Sequence, residues 1–301
     1  MEEIKILLYY KFQPIEDPEY FKRQHLRFCR ELGILGKVLV GKEGVNGSVS
    51  GSKEQMEKYK KFVHGLEGFE DVWFKEEIGK EHPFTKMIVR VRKEIVALGK
   101  EVDVSKGGYH MKPEELLELY ENGSVDRGDV IILDTRNKYE YDLGRFKGSV
   151  NPEIDTFREF PEFVEKFKEN KDKKIVMFCT GGIKCEKASA YMMQEGFKDV
   201  SQMNGGIINY CQEKPNTAWE GKVFVFDKRL VSDVGQGNEA IAKCVSCDEE
   251  SDLMRNCKNV SCDNLVVQCN KCQEKMHKCC SEKCMHEFLV YARDRAARKK
   301  D

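Results

Sequence analysis

Cys179 ends an apolar run, Ile175-Val176-Met177-Phe178, and is followed by Thr180-Gly181-Gly182-Ile183-Lys184-Cys185. A helical pattern then runs from Glu186 to Gln194 and closes at Gly196. This order predicts a buried strand, a tight loop and a helix start. Such a loop can turn successive backbone N–H groups toward the cysteine sulfur, and the helix N-terminus adds partial positive charge. Both stabilise a thiolate, so Cys179 is expected to be nucleophilic with a lowered pKa. The plainer alternative is a structural cysteine closing a core strand. Cys185 stands six positions on, at the helix start. It either resolves an oxidised or persulfide-bearing Cys179 as a disulfide, or fills space beneath the loop.

A second set of residues could bind metal. Of the chain's 13 cysteines, nine lie between Cys244 and Cys284. Cys244-x-x-Cys247 and Cys269-x-x-Cys272 are paired knuckles, and Cys257, Cys262, Cys279, Cys280 and Cys284 complete the set. Each knuckle places two thiolates on one face of a tetrahedron, so the spacing predicts zinc. Two four-cysteine sites leave one cysteine over. A cross-brace would join Cys244, Cys247, Cys269 and Cys272 at one ion. Cys257, Cys262, Cys284 and one of Cys279 or Cys280 would hold the other. Sequential pairing, or a thiolate replaced by His277 or His286, stays open. Closed four-cysteine sites are structural, so this zinc is expected to fold the tail rather than to catalyse.

The elements around these residues change character along the chain. Residues 1–100 read β-α-β-β-α-β with an extra strand near the end. That is a ferredoxin-like α+β domain of the acylphosphatase type. Its hairpin, residues 37–50, is expected to turn at Asn46-Gly47. The stretch Lys42–Val49 is either that turn alone or a substrate contact, with Lys42 and Asn46 as phosphate and hydrogen-bond partners. A strand is expected over 72–75. Residues 101–122 read as a linker, around Gly107–His110, and a lead-in helix. Residues 123–220 alternate strand and helix, which predicts a parallel sheet with its site at the C-terminal strand ends. Residues 221–301 form the cysteine-rich segment, with a helix from Glu287 that ends in Arg293, Arg295, Arg298, Lys299 and Lys300. The chain is thus expected to be a multidomain protein of mixed α/β and α+β class.

Three motif sets carry a family resemblance. Asp134-Thr135-Arg136, Gly144–Ser149, Cys179–Lys184 and Asn204-Gly205-Gly206 together resemble a rhodanese domain. The resemblance implies that Cys179 carries a persulfide and that Thr180, Gly181, Gly182, Ile183 and Lys184 form an anion cradle. Lys184 stands where that family usually has arginine, which keeps the charge and loses the bidentate fork. Arg136 is implied near the site, either as a contact or as support for the fold. With Lys42–Gly51, Arg92–Gly99, Asp134–Tyr139 and Thr156–Pro161 added, residues 1–215 resemble the tRNA uridine hydroxylase family. The cysteine-rich tail is more similar to that of related eukaryotic rhodanese-domain proteins. The family resemblance implies oxygen-dependent hydroxylation of the wobble uridine at C5, giving 5-hydroxyuridine, with Cys179, Lys184 and Cys185 as catalytic candidates. Molecular oxygen would be co-substrate and the tRNA anticodon arm the partner.

Composition narrows the classes further. No apolar run approaches the ~20 residues that span a bilayer, and Glu2, Glu3 and Lys5 interrupt any leader-like stretch. A soluble cytoplasmic protein is the expectation. Net charge is +3 over 1–100, −6 over 101–220 and +2 over 221–301, so the two ends suit a polyanion better than the middle. The rival reading is a sulfurtransferase passing sulfane sulfur from Cys179. A purely binding, zinc-bearing adaptor is a third, and the intact cysteine speaks against it.

Overall fold

A computed structural model describes residues 3–234 and 237–297. The N-terminal unit comprises β1 (Ile4–Phe12), α1 (Pro18–Leu32), β2 (Leu35–Gly41), β3 (Gly44–Ser52), α2 (Lys53–His64), β4 (Lys75–Gly79) and β5 (Met87–Val91). Local signals set both helices. Asp17 caps α1 by accepting from the backbone N–H groups of Glu19 and Tyr20, and Gly33 ends it in the left-handed region at φ 74°. Ser52 and Gln55 form a reciprocal capping box on α2. The sheet order is β4-β1-β3-β2-β5, with β5 parallel to β2. Its first four strands are the expected ferredoxin-like arrangement, and β5 extends one edge.

Two local expectations are corrected. The hairpin turns at Lys42-Glu43, between Gly41 and Gly44, and Asn46-Gly47 lie inside β3 opposite Tyr10 and Tyr9. Gly47 serves close approach rather than turning, because a Cβ there would stand 2.6 Å from the Tyr9 ring. The fourth strand begins at Lys75 rather than Val72, since Val72 and Phe74 drop into the domain core.

Strand alternation divides this sheet cleanly. Leu7, Tyr9, Val38, Val40, Val45 and Val49 point toward α1 and α2 and pack with Cys29, Met56 and Tyr59. Leu8, Tyr10, Leu39, Asn46 and Lys75 point the other way and line a cavity. An antiparallel sheet that is apolar on both faces must be covered on both. Here the second cover is the central unit.

That unit comprises β6 (Tyr109–Met111), α3 (Pro113–Glu121), β7 (Val130–Asp134), α4 (Lys138–Leu143), β8 (Gly144–Phe146), α5 (Phe160–Lys166), β9 (Lys174–Phe178), α6 (Ile183–Gln194), β10 (Asp199–Met203) and α7 (Gly206–Glu213). Its sheet, β6-β10-β9-β7, is parallel throughout. The stretch expected as a linker therefore holds an edge strand, β6, which pairs with β10. Phe146 ends β8. It is fully buried and meets Phe178, Tyr210 and Trp219 edge to face, 4.7–5.2 Å between centroids.

The tail contains β11 (Trp219–Gly221), β12 (Val223–Phe224), β13 (Val231–Ser232), β14 (Met254–Asn256), β15 (Leu265–Val267), α8 (Asn270–Lys275) and α9 (Glu282–Ala297). β11 pairs with β8, which joins the tail to the central unit. Helix α9 starts at Glu282 rather than Glu287. Arg298, Lys299 and Lys300 lie outside the described residues. Among the described residues no helix is long and apolar enough to cross a membrane.

Candidate active site

Cys179 follows β9 directly, at the C-terminal end of a central strand of the parallel sheet. The next residues curl so that the Gly182 N–H donates to its Sγ at 3.1 Å. The backbone N–H groups of Lys184 and Cys185 also reach the sulfur. The loop is closed from behind by the start of α7. Ile207 N donates to Cys179 O at 3.0 Å, and Ile208 N to Thr180 O at 3.2 Å. Gly206 makes this possible, because a Cβ there would run into the Cys179 carbonyl.

The electrostatics favour a thiolate. Burial opposes ionisation of Cys179 and is the largest single influence. It is outweighed by the Cys185 hydrogen bond, the Lys184 charge and the loop N–H groups, which together bring the pKa down to about 6. Cys185 is pushed well above the usual thiol range, first by burial and then by Cys179 itself. The pair thus divides into a thiolate and a thiol, with Thr135 Oγ1 3.6 Å from the Cys185 sulfur. Alkylation of Cys179 by iodoacetamide is expected to rise with pH through a midpoint near 6, whereas an unperturbed thiol rises near pH 8.5. Mass spectrometry of peptide 179–184 across pH 4–9 measures this, and a midpoint above pH 8 would contradict the geometry.

Lys184 is held by Glu140, with Nζ 2.8 Å from Oε2, and stands 5.9 Å from the centre of the Phe157 ring. Glu140 is wholly buried and its other oxygen, Oε1, has no hydrogen-bond partner among the described residues. Thr180 Oγ1 is likewise buried without a partner. Both residues line a cavity of about 480 Å³ between the Cys179 loop and the open face of the N-terminal sheet. Tyr10, Leu39, Phe157 and Phe226 supply apolar walls.

The expected site residues are only partly brought together. Cys179, Thr180, Gly181, Ile183, Lys184 and Asn46 line the cavity. Asn46 spends its amide on the Ile95 carbonyl, 3.1 Å away. Gly182 lies behind them, with φ 101° and its N–H on the sulfur. Lys42 is exposed on the hairpin turn, away from the cavity. Arg136 is also absent from it. It is wholly buried, and its Nη2 reaches Asp134 Oδ2 and Gly144 O at 2.6 Å each. These distances make it a brace under the loop.

Sequence reasoning missed the groups that join the two domains. Lys187, on α6 and buried, lies 2.8 Å from both Glu43 and Glu94. Tyr10 donates to Glu186 at 2.9 Å, and Glu43 also accepts from Ile95 N at 2.7 Å. The motifs Lys42–Gly51 and Arg92–Gly99 therefore work as a clamp on α6. Lys75, another missed residue, enters the cavity from β4.

The tail forms two cysteine clusters that could hold metal ions. Cys244, Cys247, Cys269 and Cys272 make one, and Cys257, Cys262, Cys280 and Cys284 the other, with all sulfurs in a cluster within 4.8 Å. The pairing is the interleaved cross-brace. Cys279 belongs to neither cluster. It is the cysteine left over, wholly buried, with its thiol 3.8 Å from the His277 carbonyl. Neither His277 nor His286 belongs to either cluster.

A thiolate-bearing loop on a parallel sheet, facing an acylphosphatase-like sheet across a cavity, defines a rhodanese-type protein with an added N-terminal domain. Three family models match this division: "UPF0176 acylphosphatase like domain" at residues 4–95, "Rhodanese-like domain" at 112–213 and "Rhodanase C-terminal" at 220–285. The chain belongs to the tRNA uridine(34) hydroxylase family. It is 42% identical over 287 residues to the tRNA uridine(34) hydroxylase of Cytophaga hutchinsonii, covering 94% of this chain and 90% of the relative. It is 40% identical over 312 residues to that of Streptococcus pneumoniae, covering 100% and 92%. The latter match runs through the cysteine-rich tail, so bacterial relatives share that segment.

Proposed function

We propose that this protein hydroxylates the wobble uridine of tRNA at C5, giving 5-hydroxyuridine, with molecular oxygen as co-substrate and an external two-electron donor that reduces the second oxygen atom to water. The observation that carries the reading is an activated Cys179 facing a two-domain cavity of about 480 Å³. That size and its mixed apolar and polar lining suit a nucleobase. A small sulfur acceptor would not need the N-terminal sheet as a second wall. The full-length similarity to proteins of that name supports the same conclusion. A base must leave the anticodon stack to enter such a cavity, and the loop of the anticodon arm allows that at modest cost. The protein is accordingly read as cytoplasmic, where tRNA is processed. The experiment is direct: 5-hydroxyuridine is measured by nucleoside mass spectrometry in tRNA from cells lacking the gene, with and without this chain. Restoration is expected. Its absence, with soluble protein present, would sink the reading.

The tail clusters are read as zinc sites. Four thiolates about 2.3 Å from one ion stand about 3.8 Å apart at tetrahedral angles. The sulfur pairs Cys247–Cys269, Cys262–Cys280 and Cys280–Cys284 are each 3.7 Å apart. Backbone N–H groups of Cys269 and Cys280 approach Cys244 and Cys257 sulfur at 3.4 Å, as expected for ligand thiolates. Elemental analysis should find about two zinc per chain, about one after Cys244→Ser or Cys257→Ser, and still about two after Cys279→Ser. Loss of zinc with Cys279→Ser would reassign the second site.

A further inference from the structure

We infer that Lys75 is a catalytic residue supplied by the N-terminal domain, its ammonium donating a hydrogen bond to a ring carbonyl oxygen of the pyrimidine held against Cys179. This rests on the uridine reading above and adds the group that reading lacks.

The register places it. Lys75 pairs with Leu8 across β4 and β1. Leu8 in turn covers Gly181, where a Cβ would stand 2.8 Å from its Cδ2. Lys75 thus stands beside the strand residue that roofs the Cys179 loop, and it lines the same cavity as Cys179, Thr180 and Lys184.

Its surroundings are unusual for a buried lysine. The residue is 4% exposed, and among the described residues no carboxylate lies within ion-pair distance of it. The aromatic faces of Trp73 and Tyr10 lie 4.5 and 5.0 Å from Nζ. Lys187 is the internal comparison: equally buried, it is neutralised by Glu43 and Glu94. An ammonium without an anion costs stability, and burial lowers its pKa to about 8, against the attraction of Cys179 and Glu186. Facing it are Cys179 from the loop, Glu186 from α6 and Tyr10 from β1. On its own strand Glu77 is committed to Arg229 at 3.0 Å. A polar donor kept charged and unpaired at a cavity wall is preorganised for an acceptor that arrives with the ligand. A uracil ring offers two carbonyl oxygens, and negative charge shifts onto O4 when a nucleophile adds at C6.

The test uses the full zinc-loaded chain and its tRNA, with product counted as 5-hydroxyuridine. Lys75→Met is expected to lower kcat by about 100-fold or more with a much smaller change in KM, since the bond strengthens as charge develops. Lys75→Arg should retain more activity than Lys75→Met. The alkylation midpoint of Cys179 should stay within one pH unit, because Lys184 is untouched. The wild-type rate should fall as pH rises through about 8, and this alkaline limb should vanish in Lys75→Met. Unchanged kcat in Lys75→Met, or a wild-type profile flat to pH 9.5, would overturn the inference. The wild-type profile decides even if the variant fails to fold. A wild-type protein that forms no 5-hydroxyuridine overturns the functional reading instead.

Discussion

Cys179→Ser is expected to abolish formation of 5-hydroxyuridine, with a loss of at least about 1,000-fold, while the protein stays folded. Loss of an activated nucleophile has effects of this order. The loop is built around a charged sulfur. Three backbone N–H groups, Cys185 and Lys184 converge on it. A serine hydroxyl is nearly the same size and accepts the Gly182 N–H, so packing is preserved. It does not ionise near neutral pH, so the charge on which those donors act is gone. The same variant separates the two chemistries of the fold. Thiosulfate:cyanide turnover lost along with 5-hydroxyuridine leaves sulfur transfer open as a second use of the thiolate. Hydroxylation that survives Cys179→Ser would remove the cysteine from the reaction and turn attention to the cavity's other walls. Cys185→Ser is the informative partner, because it keeps a hydrogen-bond donor to Cys179 but cannot form a disulfide. Retained hydroxylation in that variant would make Cys185 a donor rather than a resolving thiol.

The parts of this site that were legible in the sequence were those governed by local rules. The apolar run into Cys179, the paired glycines and the helix start are contiguous, and their geometry follows from strand, loop and cap chemistry. The cysteine knuckles are legible for the same reason, since metal ligation fixes their spacing. Asn46-Gly47 misled because the dipeptide suits a turn, yet Gly47 was required by the bulk of Tyr9 from a neighbouring strand. Gly107–His110 misled because glycines hid an edge strand whose partner, β10, lies 92 residues on. The clamp of Lys187 on Glu43 and Glu94, and the approach of Lys75 to the cavity, depend on two domains meeting. No local pattern announces that. One signal was available: Leu8, Tyr10 and Leu39 make the second face of the N-terminal sheet apolar, so that face needed a cover.

Arg136→Met should be the most damaging substitution for stability, costing about 3–5 kcal/mol, the range for breaking a buried ion pair. Arg136 and Asp134 are both fully buried, and three of the Arg136 hydrogen-bonding groups are spent on Asp134 and Gly144. The guanidinium also lies 5.6 and 5.3 Å from the centres of the Phe178 and Trp219 rings, directly under the strand that ends at Cys179. Removing it strands the Asp134 carboxylate in an apolar site. Burial already holds the Asp134 pKa above its usual value despite Arg136, and without the guanidinium the residue 136 backbone N–H is left to oppose that push. The sign of the pH dependence follows. A carboxyl raised in the folded state binds its proton more tightly there than in the unfolded chain. Its favourable contribution is therefore present at low pH and is lost as pH rises through the folded-state pKa. The penalty of Arg136→Met should be largest at pH 8 and shrink toward pH 4. Asp134→Leu combined with Arg136→Met should recover much of the loss, because no charge is left buried. Denaturant midpoints for both variants at the two pH values measure this. A penalty independent of pH, or a double variant no better than the single one, would mean that Arg136 acts through packing and its Gly144 bond, with the ion pair secondary.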